Sequence, residues 1–167
     1  YYRMAEAGIL ADDEQVELLD GDIVLRTPLS PQRAACLRRL IRFLVLRRQV
    51  ILSTRNPVRF DTYTELCPDA ALLKWQDDFY SREHPWPQDT LVIVEVLDAS
   101  YSHSRQGKYA QAGVPEFWIV DLINNRIEVH ALPNEGVYQE VRIILRHQNI
   151  ISRVSPHLKL KASDILG

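Results

Sequence analysis

Two apolar runs joined by one polar stretch set the strongest constraint on this chain. "TLVIVEVL" (Thr90–Leu97) is nearly continuous in β-branched residues, as expected of a central strand covered on both faces. "DASYSHSRQGKYAQAG" follows as loop and then helix, with Gly113 placed to cap the helix C-terminus. "PEFWIVDL" is a second central strand. A strand, a helix and a strand in that order predict an α/β fold built on a mixed sheet with helices on its faces.

The rest of the chain extends this core. Tyr1 to Gly8 reads as a short helix closed by glycine, and it resembles the middle of a helix, so natural sequence is expected to precede it. "VELLDGDIVLRT" is a hairpin turning at Asp20-Gly21. Ser30 and Pro31 then supply an N-cap and a first-turn proline for a helix running to about Arg48. Its apolar stripe is Leu37, Leu40, Ile41 and Leu44. Short strands follow in "QVILST", "PVRFDT" and "CPDAALLK", then a proline- and charge-rich loop, "WQDDFYSREHPWPQD". Asn124-Asn125 turns the second central strand into "RIEVHAL", and the tail adds further β-structure and a short helical turn. The expectation is one domain over residues 1–167, with an N-terminal helix-hairpin and C-terminal β-hairpins.

Composition limits the function classes. A formal net charge of -2 gives no global attraction for nucleic acid, so any phosphate binding must use a local cluster of cations. Arg33, Arg38, Arg39, Arg42, Arg47 and Arg48 share the long helix, and a solvated surface is the plainer reading of them. No apolar run reaches the ~18 residues that span a bilayer. Cys36 and Cys67 lack metal-type spacing and are expected as reduced thiols in a cytoplasmic protein. The five histidines are scattered, with His103 closest to the segment of interest below. Trp75 and Trp86 flank the exposed loop, where they either stack on a base or pin the loop.

Two acids stand where strands should be apolar. Alternation places Asp69 on one face with Ala71 and Leu73, and Glu95 on one face with Ile93 and Leu97. If these strands are neighbours and the faces match, the two carboxylates converge. Paired carboxylates with water suit a hard cation such as Mg²⁺, which activates water and stabilises charge in phosphodiester hydrolysis. Acids at strand edges paired with arginine are the common alternative.

With "VELLDGDIV", "TPLSPQ", "CPDAAL", "LVIVEVLDAS" and "YAQAGVPEFWIVD", the chain resembles the Uma2-like (DUF820) family of endonucleases, in the PD-(D/E)xK superfamily. The resemblance spans nearly the whole chain. It implies a restriction-endonuclease-like core, a bacterial source, a homodimer, and Mg²⁺-dependent (or Mn²⁺-dependent) cleavage of DNA. By position it implies Asp69 and Glu95 as metal ligands, with the Val96 carbonyl as a third oxygen. The family lysine position is Arg105 here, and Lys108 lies on roughly the same helix face. Arginine holds a phosphate but does not act as a general base near neutral pH. Arg33 stands where the family carries a histidine. Glu17 matches a recurrent family acid, available to the site or to a local pair. The first expectation is therefore a metal-dependent endonuclease. The alternative is a degenerate member that binds nucleic acid or protein without turnover, and an Asp69 locked to an arginine would favour it.

Overall fold

A computed structural model describes residues 1–11, 13–45, 49–98 and 104–167, with the backbone only at Ser104. Arg47, Arg48 and His103 lie outside the described residues. Helix α1 (Tyr2–Glu6) precedes the hairpin β1 (Val16–Leu19) and β2 (Asp22–Leu25), which turns through Asp20 and Gly21 at φ 53° and 89°. Positive φ at both turn residues gives the twist that two antiparallel strands need, and it explains the Asp-Gly pair. Helix α2 (Pro31–Leu44) has its C-cap at Val45, and the expected stretch from there to Arg48 lies outside the described residues. Strands β3 (Val50–Ser53), β4 (Val58–Arg59), β5 (Glu65–Leu66), β6 (Ala70–Lys74) and β7 (Thr90–Leu97) come next. Helix α3 (Ser104–Gln111) leads to β8 (Glu116–Asp121) and the long hairpin β9 (Arg126–Asn134) and β10 (Val137–Leu145). The chain closes with β11 (Asn149–Ile151), β12 (Lys159–Lys161) and α4 (Ala162–Leu166).

The main sheet has strand order β10-β9-β8-β7-β6-β3, and a smaller sheet runs β2-β1-β5-β4. Strands β7 and β8 are parallel and are joined through α3, as the two apolar runs required. Alternation along these strands feeds two cores. Val92, Val94, Val96, Trp118 and Val120 pack with Cys36, Leu37, Leu40 and Leu44 of α2 and with Ile165 of α4. Ile93, Phe117 and Ile119 pack on the opposite face with Tyr109 and Ala110 of α3. Burying both faces is what permits so apolar a strand as β7.

The aromatic expectations divide. Trp118 is fully buried, and Trp75 stands exposed against Phe79. Trp86 lies under the Arg59 guanidinium, 5.5 Å from its ring centroid, so it pins its end of the loop. Arg38 and Arg42 are exposed on α2, whereas Arg39 donates to the carbonyls of Ile165 and Leu166 at 2.8 and 2.9 Å and anchors α4.

Candidate active site

Register brings the two acids together. Strands β6 and β7 are antiparallel, with Ala71 opposite Ile93 and Ala70 opposite Val94. Continuing that pairing by one step sets Asp69 opposite Glu95 on the same face, so the convergence expected from alternation is present. Both residues are buried. The Val96 N–H donates to Asp69 Oδ2 at 2.8 Å. In an extended strand the N–H and C=O of one residue leave by the same edge, so the Val96 carbonyl also faces the Asp69 side.

Helix α3 supplies the partners of Glu95. Tyr109 donates its hydroxyl to Glu95 Oε1 at 2.6 Å, and Arg105 Nη1 lies 3.5 Å from the same oxygen. Arg105 and Tyr109 are one helical turn apart, which puts both over the β7 end. Burial, and then the charge of Asp69, push the Glu95 carboxyl up to about 7, with Arg105 and the Tyr109 hydrogen bond pulling the other way. Tyr109 went unassigned in the sequence, although its spacing from Arg105 was visible there.

Glu17 and Lys108 are each held in an ion pair. Glu17 reaches in from β1, pairs with Arg105 and accepts the Cys67 N–H at 3.1 Å. Its carboxylate therefore fixes Arg105 and the chain just before Asp69. Lys108 pairs with Asp20 on the β1–β2 turn. Arg105, rather than Lys108, stands beside the carboxylates.

Asp69 is itself clamped. Arg33 Nη2 lies 3.0 Å from Oδ1 and 2.9 Å from Oδ2, and Arg55 Nη1 stands 3.7 Å from Oδ1. The clamp follows from how α2 begins. Ser30 accepts the Arg33 N–H at 3.2 Å, capping the helix, and its hydroxyl donates to Asp98 just beyond β7. The first turn of α2 is thereby tied to the strand end that carries Glu95, and Arg33 projects onto Asp69.

Two carboxylates and a neighbouring carbonyl are the oxygen donors that a hard divalent cation takes, with water completing its shell. Among the described residues no group of three or more His, Cys, Asp and Glu side chains is arranged to hold a metal ion. An ion here thus depends on Asp69, Glu95, backbone and water. The donor chemistry fits; the charge balance sets a condition. Glu17, Asp69 and Glu95 are already met by Arg33, Arg55 and Arg105, and one guanidinium nitrogen straddles both Asp69 oxygens as a bidentate cation would.

Known proteins share this architecture. Over 98% of this chain and 96% of the other, the fold matches a crystal structure described as a putative nuclease belonging to DUF820 from Anabaena variabilis, with TM-score 0.67 and 14% identity. That likeness is one of fold. A search of curated proteins returned no match. The family model described as "Uma2: Putative restriction endonuclease" matches residues 1–163. The chain belongs to the Uma2 family.

Proposed function

We propose that this chain hydrolyses phosphodiester bonds of DNA at the Asp69–Glu95 pair, with Mg²⁺ or Mn²⁺ as cofactor. The observation that carries the reading is the meeting of these two carboxylates at the ends of adjacent strands, with the Val96 backbone beside them. Family membership supports nucleic acid as the substrate. Asp69, Glu95 and the Val96 carbonyl would hold the ion, which when bound would activate a water and stabilise the charge developing on the phosphate. Arg105 offers a permanent positive charge to the phosphate, and Glu17 and Glu95 hold it in place. Lys108 serves the β1–β2 turn instead. Two further readings complete the proposal. The exposed apolar stripe of Val137, Val141, Ile143 and Leu145 on edge strand β10 supports a homodimer. The free thiols Cys36 and Cys67 suit the reducing cytoplasm.

The Arg33 clamp favours a second reading. An Asp69 held by arginine is the arrangement expected of a degenerate relative that binds nucleic acid or protein without turnover. Nicking of supercoiled plasmid separates the two. The first reading predicts nicking by wild type with Mg²⁺ or Mn²⁺, and none in EDTA. Asp69→Ala and Glu95→Ala would each lower it by about a hundredfold or more. A well-folded wild type that leaves every DNA form intact with both metals would establish the second reading. Nicking that survives Asp69→Ala would place the chemistry elsewhere.

A further inference from the structure

We propose that Arg26, Arg33 and Arg55 form a receptor for one backbone phosphate of the nucleic acid, and that Arg33 is a latch which leaves Asp69 for that phosphate. The inference rests on the reading of the Asp69–Glu95 pair as a nucleic-acid site. The three arginines come from distant parts of the chain: the residue after β2, the first turn of α2, and the segment between β3 and β4. The Arg26 Nη2 donates to the Arg55 carbonyl at 3.3 Å, and Arg33 and Arg55 both reach Asp69.

Cations outnumber anions in this group. Among the described residues, Asp69 is the one carboxylate that Arg33 and Arg55 contact, and Arg55 also donates to the neutral Gln15 amide at 3.3 Å. The like charges are felt: burial first, then Arg26 and Arg33, lower the affinity of Arg55 for its proton. Arg33 remains under-used as well, since its buried Nε has no hydrogen-bond partner among the described residues. A planar guanidinium fork with a spare N–H suits an incoming phosphate, which accepts from two donors at once.

Position makes the exchange feasible. The Arg33 and Arg55 side chains keep 12% and 22% of their surface in solvent, against 4% for Asp69. Both arginines are therefore closer to solvent than the acid they hold. Before ligand arrives, Arg33 spares a buried carboxylate the cost of being unpaired. Once a phosphate draws Arg33 away, the Asp69 charge is exposed to a divalent cation. Phosphate and cation thereby become positively coupled, each raising the affinity for the other.

The test is a double-mutant cycle without metal. A fluorescent 20-base-pair DNA duplex is titrated in EDTA with wild type, Asp69→Asn, Arg33→Gln and the double variant, each checked for folding by circular dichroism. Asp69→Asn leaves the latch nothing to hold and is expected to bind DNA about five- to tenfold tighter. Arg33→Gln is expected to bind several-fold weaker, and in its background the gain from Asp69→Asn should fall below twofold. An equal gain in both backgrounds would reveal a general charge effect and overturn the latch, as would no gain at all. Should Arg33→Gln fail to fold, Arg55→Gln replaces it, with the same direction expected. A second readout counts free Mn²⁺ by its electron paramagnetic resonance signal. Wild type should bind Mn²⁺ about tenfold tighter with the duplex than without, and Arg33→Gln should bind it equally in both states. Equal wild-type affinity with and without DNA would overturn the coupling. The DNA cycle needs neither metal nor cleavage, so an inactive protein with an intact cycle sinks only the hydrolytic reading. An active protein with no cycle sinks only the latch.

Discussion

Glu95 shows at the scale of one residue how burial becomes a pH dependence. Its carboxyl is held near 7, above its ordinary value of 4.5. The folded chain thus binds the Glu95 proton more tightly than the unfolded chain does. Between those two values stability falls as pH rises: the favourable contribution is complete below about 4.5 and lost above about 7. In EDTA, Glu95→Gln should remove this slope and be more stable than wild type at pH 8, by about 1–3 kcal/mol. Thermal melts at pH 5 and pH 8 measure it, and a variant whose loss of stability with pH equals that of wild type would contradict the assignment. Glu17 depends on its ion pair with Arg105. Arg105→Ala strands a carboxylate with a fully buried side chain and should cost about 3 kcal/mol. Adding Glu17→Gln should recover much of that loss in urea unfolding, whereas no recovery would mean that Arg105 stabilises the chain by some other contact.

At the scale of elements, the start of α2 determines what meets Asp69. Ser30 caps the helix through Arg33 and ties it to Asp98, so Ser30→Ala should destabilise by about 1 kcal/mol. It should also loosen the clamp, visible as several-fold tighter DNA binding in EDTA; unchanged binding would show that Arg33 is held by packing alone. Period and pairing explain what the sequence made legible here. Alternation placed Asp69 and Glu95 each on a defined strand face, so the pair was legible on the condition that their strands are neighbours, as β6 and β7 are. The clamp was not. Arg33 and Arg55 reach Asp69 from segments 36 and 14 residues away (69 − 33 and 69 − 55), and no local period reports such contacts. The choice between Arg105 and Lys108 was equally hidden, since it depends on where the β1–β2 turn presents Asp20.

For the whole molecule, a net charge of -2 means that affinity for DNA must be concentrated in one place. Concentrated at Arg26, Arg33 and Arg55, that affinity should carry a modest salt dependence. Replacing Arg55 by Gln should reduce the slope of log affinity against log salt by about 1. An unchanged slope would place the phosphate contacts elsewhere. The homodimer is tested by light scattering, where the proposal predicts twice the mass of a 19.3 kDa chain and a monomer for Val141→Lys. A monomeric wild type would remove the dimer without touching the carboxylate pair. The central claim is that Asp69 and Glu95 jointly hold a cation when nucleic acid is bound. Anomalous diffraction from a crystal grown with Mn²⁺ and a cleavage-resistant phosphorothioate duplex tests it most directly. A manganese peak between Asp69 and Glu95, with Arg33 turned onto a phosphate, is the expected result. Bound duplex with no manganese at those carboxylates, and Arg33 still on Asp69, would contradict it.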